Sequence, residues 1–448
     1  MIKNSKHAIL LALSMLACQL KSQNANSNSF SLQQAIDYAY KNSPNYLNAE
    51  NDVLMAKYKR KEVLGMAMPQ ITTSVDMKNF LEIPTSLIPG EIFGAPPGTF
   101  IPVKFETKFQ ASGTAQASLL VFSADYLVSL KATKEMITLM NINVTRSKTE
   151  TVTQVSKAYY GVLVNKERIK LLDANVTKLE KILNDTKAIN KQGFVEQIDV
   201  DRLEVAFNNL VTEKQKTERL ISLSENILKF QMGYTGQDHL ILTDSLAISE
   251  NPENISAEKV DFTKRIEYQI LESQQKLNSI NIKRLKFGYM PSLVAYGSLG
   301  YAGMRNDLDF FSRQHNWFPT SIIGATLSFN VFDGLQRHYK IQQAKMDFKK
   351  GENAIKNLQL GIELETASAV VNYNNAISSL QIQKRNMQLA ENVLNVTQKK
   401  YEQGVGPNQE VVNAQTAYKE AQTNYFNAVY DMLIYKIDYL KATGSLIK

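Results

Sequence analysis

The chain of 448 residues carries a formal net charge of +8, and its mean hydropathy is −0.25 with no long apolar span to offset that polarity. The basic balance does not indicate nucleic-acid binding, because lysine and arginine are scattered along helix faces among acidic and amide side chains. An enzyme is not indicated either, since the 4 histidines are dispersed and the sequence contains neither a phosphate-binding loop nor a nucleophile elbow. We therefore predict no catalytic residues, no cofactor, no metal site and no nucleic-acid partner.

The N-terminal residues 1–22 have the order of a secretory signal peptide. A charged start precedes an apolar run that ends at Ala17 and is too short to span a bilayer. The only cysteine, Cys18, closes this run in a sequence similar to a bacterial lipoprotein cleavage site. Cys18 is therefore either lipidated or removed by an ordinary cleavage nearby, for example after Ser22. In both cases the mature chain has no pair of thiols for a disulfide or a cysteine-based metal site.

The next stretch, residues 23–68, is predicted to be helical. Its apolar positions fall on one face, Ser31 is the predicted N-cap, and Pro69 ends the pattern after a break at residues 42–44.

Residues 69–122 predict a first β-hairpin. A Pro- and Gly-rich exposed loop at 84–102 separates an extended segment at 70–80 from strict apolar–polar alternation over 108–121. This alternation is longer than an ordinary strand of about 5 or 6 residues. An apolar and a polar face of that length are typical of a membrane barrel strand of about 9 to 11 residues. A half-buried strand of a soluble sheet is the alternative.

The chain is a tandem duplication. Gly193 and Gly404 each interrupt a long stretch of helical periodicity with a Gln-Gly turn, and 211 positions separate them. The same spacing relates Gly233 to Gly444 at the far end of each return helix. This period is too long for a solenoid, whose repeats are about 20 to 50 residues, so it indicates two structural halves.

Each half is predicted to contain a helix, a β-hairpin and a long helical hairpin. After the signal peptide, the predicted segments are an N-terminal helix at 23–68, a β-hairpin at 69–122, a helical hairpin at 123–232, an irregular equatorial segment at 233–261, a helix at 262–290, a β-hairpin at 291–332 whose last strand runs from 317 to 332, and a helical hairpin at 333–448.

Four membrane-length strands cannot close a barrel within one chain, and an open sheet in lipid would leave two unsatisfied edges. The barrel must therefore be shared, and its polar inner face favours a water-filled trimer of twelve strands over a filled dimer of eight. The predicted fold class is mostly α with a membrane β portion: long helical hairpins form an α-helical tunnel, and four strands per chain enter the shared barrel. Because helices follow strands almost directly, at Phe122-Ser123 and Phe332-Asp333, barrel and tunnel are expected to form one continuous tube.

The chain resembles the TolC-type outer-membrane efflux protein family, also called outer-membrane factors, over essentially its whole mature length. The resemblance rests on the opening residues 31–36 with Asn42-Ser43-Pro44, on the Met-Pro pairs before the strands, on residues 331–334 and on both hairpin turns. It implies a homotrimer in the bacterial outer membrane, in contact with outer-membrane lipid, with its helical body in the periplasm. It also implies a passive exit duct of a tripartite efflux or type I secretion system, coupled to a periplasmic adaptor (membrane fusion) protein and, through it, to an inner-membrane pump. A periplasmic coiled-coil interaction or structural protein without a pore is the alternative.

The resemblance also implies two sets of site residues. In the family the hairpin tips contact the adaptor, which here gives Gly193, Phe194, Val195, Glu196, Gly404, Val405, Gly406 and Pro407. The family closes its tunnel near these tips with acidic rings and tyrosine links, which here gives Tyr401, Glu410, Asn413, Asp199 and Asp201 as candidates for the periplasmic gate. Gly406 stands where the family can have an arginine, and Asn413 where it can have an aspartate, so the latch is not expected to be identical. The alternative for Asp199 and Glu410 is favourable placement at helix N-termini.

Overall fold

The computed structural model describes residues 28–246, 254–256, 261–310, 312 and 316–447. The predicted signal peptide, Cys18 and part of the equatorial segment lie outside the described residues. Within the described ranges, no helix combines the length and the apolar character needed to cross a bilayer.

The helices and strands follow the predicted order closely. In chain order they are β1 (Ser29–Phe30), α1 (Leu32–Asn42), α2 (Pro44–Gly65), β2 (Gln70–Asn79), β3 (Ser86–Pro89), β4 (Phe100–Val103), β5 (Phe109–Ser123), α3 (Ala124–Lys191), α4 (Gln197–Met232), β6 (Ile241–Leu242), α5 (Ile266–Phe287), β7 (Ser292–Arg305), β8 (Phe318–Ser328), α6 (Gln336–Glu402) and α7 (Asn408–Ala442).

The chain divides into two compact units. One, called here the strand unit, consists of Val53–Met140 and Leu271–Ala354; the other, the helical unit, consists of Met1–Asp52, Asn141–Ile270 and Ile355–Lys448.

The strand unit is built on a four-stranded antiparallel sheet in the order β2-β5-β7-β8. Each predicted β-hairpin supplies two neighbouring strands, and β5 joins the hairpins by pairing with β7. The strands of 10 to 15 residues have the length expected of membrane strands. β2 and β8 are the outer strands of this sheet.

The alternation in the sequence becomes two chemically different faces of the sheet. One face is mainly apolar, and its side chains include Ile71, Val75, Ala115, Leu299, Ile323 and Leu327. The other face of β2 and β5 consists largely of amides and hydroxyls, including Gln70, Thr72, Ser74, Ser112, Thr114 and Gln116. Most of the apolar face is exposed, with Val75 at 86% and Ile323 at 91%, whereas Phe109 and Ala111 at one end of it are buried against Phe310.

Two details of the strand unit differ from the sequence-based prediction. The last strand ends at Ser328 rather than at residue 332, because its partner strand begins at Ser292, directly opposite Ser328. Seven residues therefore separate β8 from α6, whereas Ala124 follows β5 without a gap. The loop at 84–102 is exposed as predicted but contains the short β3–β4 hairpin, whose ends are joined by a bond from the Gly90 N–H to the Thr99 carbonyl at 2.7 Å.

The helical unit begins with a capped helix. Ser31 is the N-cap of α1, as predicted: its hydroxyl accepts a hydrogen bond from the Gln34 N–H at 3.3 Å, and the Gln34 side chain accepts one from the Ser31 N–H at 2.9 Å. This reciprocal capping box satisfies two N–H groups that the helix leaves unpaired. The preceding strand β1 pairs in parallel with β6, which ties the equatorial segment to the start of the chain.

The core of the helical unit is a set of narrow seams between long helices. Side chains of β1, α1, α3 and α4 meet around Tyr159 and Leu228, and α3 packs on α4 nearer the turn around Leu179 and Leu203. All four of these side chains are fully buried. A third seam joins α6 and α7 around Val429. These seams agree with the predicted scattering of apolar residues at helical spacing.

The duplication is visible in the backbone. The N–H of Tyr234 donates to the Lys229 carbonyl at 2.8 Å, and 211 positions further on the N–H of Ser445 donates to the Leu440 carbonyl at 2.9 Å. Each bond closes a helix end beside a glycine with left-handed φ, Gly233 or Gly444.

Both of these glycines lie against a second segment of chain. A Cβ at Gly233 would lie 2.4 Å from the Asn42 carbonyl oxygen, and a Cβ at Gly444 would lie 3.1 Å from the Lys264 carbonyl oxygen. Lys264 stands 222 positions after Asn42, the same offset that relates Pro291 to Pro69. The break between α1 and α2 therefore has a counterpart just before α5.

Candidate functional site: the paired hairpin tips

The first hairpin tip joins α3 to α4 through a tight glycine turn. Gly193 has φ +81°, a left-handed conformation that favours glycine. The N–H of Phe194 donates to the Ile189 carbonyl at 3.3 Å, and the N–H of Gly193 donates to the Asn190 carbonyl at 2.8 Å. These two bonds form a Schellman cap. The side-chain amide of Asn190 also donates to the Val195 carbonyl at 2.8 Å and fixes the chain beyond the glycine.

The second tip, between α6 and α7, has the same backbone design 211 positions later. Gly404 has φ +71°. The N–H of Val405 donates to the Lys400 carbonyl at 3.0 Å, and the N–H of Gly404 donates to the Tyr401 carbonyl at 2.9 Å. The backbone conformation of both turns therefore favours glycine, whether or not these glycines also contact a partner.

The side chains of the two tips differ although the backbones match. Phe194 is 80% exposed at the first tip, and Val405 occupies the equivalent place at the second with 75% exposure. Glu196 is the N-cap residue of α4, whereas Pro407 is that of α7. Exposed apolar side chains at the end of a helical hairpin have no packing role within the chain and are suited to a partner.

A groove of about 820 Å³ lies between the two tips. Its walls include the apolar side chains of Ile182, Ile189, Phe194, Val195, Tyr401 and Pro407, together with the backbone of Gly404 and Gly406. Four carboxylates also line it, those of Asp185, Glu196, Asp199 and Glu402, and among the described residues that line the groove there is no lysine or arginine. The groove therefore favours an apolar ligand surface that carries positive charge.

Two hydrogen bonds connect the tips across this groove. The hydroxyls of Tyr401 and Thr186 lie 3.0 Å apart, and the side-chain amide of Asn408 donates to the Asp199 carbonyl. Thr186 is 1% and Asn408 3% exposed. These bonds hold the end of α6 against α3 and the start of α7 against α4.

The remaining candidate gate residues do not line the groove. Asp201 accepts a hydrogen bond from the Gln197 side chain at 2.7 Å, and Asn413 accepts one from the Gln409 side chain at 2.9 Å, each along its own helix. Glu410 is exposed in the first turn of α7. The groove thus brings together six of the eight tip residues, all but Gly193 and Val405, with Tyr401 and Asp199. Glu410, Asn413 and Asp201 are exposed outside it.

Asp199 and Glu410 occupy equivalent positions, 211 residues apart, in the first turns of α4 and α7. The Asp199 N–H donates to the Glu196 carbonyl and the Glu410 N–H to the Pro407 carbonyl, both at 3.1 Å. Both carboxylates are therefore placed favourably at the positive end of a helix dipole, as the alternative interpretation expects.

Comparison with known proteins identifies the architecture. Residues 269–445 match the family model described as outer membrane efflux protein. The outer membrane protein TolC of Vibrio cholerae serotype O1 is 22% identical over 303 residues, which is 66% of this chain and 68% of that protein. These matches confirm the resemblance to outer-membrane efflux proteins that the sequence predicts.

Solved structures show the same fold for nearly the whole chain. The Campylobacter jejuni CmeC outer membrane channel is 13% identical with a TM-score of 0.69, covering 93% of this chain and 86% of that one. The open state of the Neisseria gonorrhoeae MtrE outer membrane channel is 14% identical with a TM-score of 0.71, covering 93% and 89%. CusC, at 13% identity, has a TM-score of 0.71 and coverage of 92% of both chains.

These similarities confirm the predicted class of protein. A member of the outer membrane efflux protein family is an outer-membrane channel whose helical body lies in the periplasm, and this favours the channel interpretation over a coiled-coil protein without a pore. Family members are trimers that work with adaptor and pump partners.

Proposed function

We propose that three copies of this chain form the exit duct of a tripartite efflux or type I secretion system. The duct is a passive conduit, docked at its hairpin tips by a periplasmic adaptor protein that links it to an inner-membrane pump. The observation that carries the proposal is the four-stranded sheet with one bare apolar face.

The sheet needs both lipid and neighbours. Its apolar face suits a bilayer, since Val75 and Ile323 are almost fully exposed in the single chain. β2 and β8 each have one edge that pairs with no strand among the described residues. Unpaired edges are not tolerated in lipid, so β8 of one copy would pair with β2 of the next. Three copies close twelve strands around a water-filled lumen lined by the polar face.

The tips supply the docking surface. The groove between them offers apolar walls and four carboxylates, and Phe194 and Val405 project beside it. An adaptor element that inserts an apolar side chain and presents a lysine or arginine would match both features. Glycine at 193 and 404 keeps the turn narrow, so a second chain can approach the backbone closely.

The experiment tests docking separately from assembly. We expect Glu196→Arg and Phe194→Ser to weaken adaptor binding roughly tenfold or more, as removal of a central interface residue does, and to abolish efflux from cells that depend on this duct. Site-specific crosslinking to the adaptor measures docking, and the unheated mobility of the outer-membrane fraction measures trimer formation.

The control is Glu352→Arg, the same charge reversal at an exposed residue of the strand unit. It should leave crosslinking and efflux unchanged. Normal efflux and crosslinking in Glu196→Arg and Phe194→Ser would remove the tips from the docking site, while a soluble monomer in every variant would reject the duct itself.

A further inference from the structure

One aromatic side chain on the polar face of the sheet has an unusual position. Tyr296 of β7 pairs in register with Gly324 of β8, and its ring bends across that glycine. A Cβ at Gly324 would lie 2.7 Å from the tyrosine Oη and 2.8 Å from its Cζ, closer than side chains tolerate. Gly324 has no positive φ, so the backbone does not require glycine here. What requires it is the space taken by the ring.

The surroundings of Tyr296 differ from the rest of that face. Ile322 and Phe318 lie on the same face of β8 and are 49% and 58% exposed, and Val294 precedes Tyr296 on β7. The same face of β2 and β5 carries hydroxyls and amides, with Asp76 and Lys78 as its charged residues within the strands. The second hairpin therefore adds an apolar and aromatic strip, defined by Val294, Tyr296, Phe318 and Ile322, to a wall that is mainly polar.

The strip faces the lumen if three chains close the barrel, so the inference rests on the proposed function. Tyr296, Ile322 and Phe318 alternate with residues of the bare apolar face, such as Leu299 and Ile323. Because neighbouring side chains of a strand point to opposite faces, contact of Ile323 with lipid places Ile322 towards the lumen. A closed trimer would carry three copies of the strip.

An aromatic ring held flat on the wall offers its face to passing molecules. The ring loses little conformational entropy on contact with a solute, because Gly324 and its neighbours already fix its position. Aromatic and aliphatic surfaces gain from stacking on such a ring, whereas small inorganic ions gain little from contact with an apolar strip. The hydroxyls and amides opposite the strip suit the polar groups of the same molecule.

We propose that Tyr296 is a contact residue for the exported molecule, and that this molecule is an amphipathic organic solute with an aromatic or aliphatic face. Gly324 is a positioning residue that keeps the ring against the wall.

The test uses the full-length trimer in outer-membrane vesicles or liposomes. A single cysteine at Ser298→Cys, two residues from Tyr296 on the same face, reacts with a membrane-impermeant maleimide added from the side of the strand loops. The probes are phenyl glucoside and methyl glucoside, which share the sugar and differ in the ring. The matched reporter is Leu299→Cys on the apolar face, and the protein without an added cysteine is the blank.

We expect phenyl glucoside to slow labelling of Ser298→Cys by roughly two- to tenfold, the range of one aromatic contact, and methyl glucoside to have no effect. Tyr296→Phe should keep this protection and Tyr296→Ser should lose it. Gly324→Ala should also weaken it by displacing the ring, whereas Gly297→Ala, whose added methyl would make only ordinary contacts, should not.

The outcomes separate the inference from the duct. Labelling of Ser298→Cys without protection by phenyl glucoside, or equal protection in Tyr296→Ser, would overturn the contact role and leave the duct standing. Labelling of Leu299→Cys with none at Ser298→Cys would reverse the two faces and reject both.

Discussion

At the scale of single residues, the carboxylate of Glu225 in α4 is a buried charge. It is 4% exposed, and its oxygens lie 2.9 Å from Lys166 Nζ and 2.9 Å from His239 Nδ1. Lys166 also donates to the Leu240 carbonyl at 2.8 Å. This cluster ties the equatorial segment to the two helices of the first hairpin.

The cluster predicts a dependence of stability on pH. Burial raises the pKa of Glu225, but the hydrogen bonds from His239 and Lys166 outweigh it and leave the pKa below the usual 4.5. The unfolded chain therefore binds this proton more readily, so the stability that Glu225 contributes is present above pH 4.5 and is lost as the pH falls through the lowered pKa.

We expect Glu225→Gln to lower the free energy of unfolding by about 1–2 kcal/mol at neutral pH, since His239 is largely solvated, and to flatten the acid decline. Thermal unfolding at neutral and acidic pH measures both effects. Glu218→Gln, an exposed change on the same helix, is the control, and an acid decline equal to that of the unmodified protein would remove Glu225 from the explanation.

The hydroxyl pair across the tips gives a second prediction at this scale. Tyr401→Phe and Thr186→Val each remove one partner of the 3.0 Å contact. If this bond restrains the tip, each variant should raise single-channel conductance in planar bilayers, and the double variant should add nothing to the larger single effect. Additive effects, or no change in conductance, would assign Tyr401 to packing against the α3–α4 seam, which it also contacts.

At the scale of elements, four left-handed glycines close four helices and differ in their surroundings. Space is open around Gly193 and Gly404, whereas Gly233 and Gly444 lie against another segment of chain. Alanine in the left-handed conformation costs about 1–2 kcal/mol on its own. We expect the loss of thermal stability to rank Gly233→Ala first, Gly444→Ala second, and the two tip glycines last and nearly equal. Equal losses at all four positions would show that the chain segments next to Gly233 and Gly444 move to accommodate the added methyl group.

The elements also show what local sequence can and cannot predict. The helices and the four long strands were predictable because their periodicity is written in neighbouring residues. The end of β8 was not, because alternation continues through Phe329 and Val331 while the partner strand begins at Ser292. A strand ends where its partner strand ends, and the position of the partner strand is not encoded in the neighbouring residues.

The candidate site was predictable in the same partial way. Both tip turns follow from glycine in helical sequence, and their side chains follow from the family resemblance. The contacts of Thr186 and Asn408 could not be predicted, because they join residues 215 and 209 positions apart. Alignment of the two halves would have marked Asn408 as the counterpart of Gln197. The identity of these two residues does not indicate which group Asn408 contacts.

At the scale of the whole molecule, the two faces of the sheet give a paired prediction. Val75 and Ser74 are neighbours in the middle of β2 and point to opposite faces. Val75→Arg would put a charge in the lipid at a cost of about 2–4 kcal/mol near the midplane, whereas Ser74→Arg would put it in water.

Trimer yield by heat-modifiable mobility should therefore fall for Val75→Arg alone, and Ser74→Arg should assemble and shift the reversal potential towards anions. Equal loss of trimer in both variants would contradict the assignment of the faces.

The two halves of the duplication are related by two different offsets. Equivalent positions in the two halves are 222 residues apart at the prolines before the strands and 211 apart at the glycines that end the long helices. The difference of 11 residues therefore arises between these points. Those helices match almost residue for residue, at 68 and 67, then 36 and 35. A residue gained or lost within a long helix would turn every later side chain by about 100° and displace one tip by about 1.5 Å against its twin. The lengths of the paired long helices are therefore constrained together, because both tips must stay level with each other.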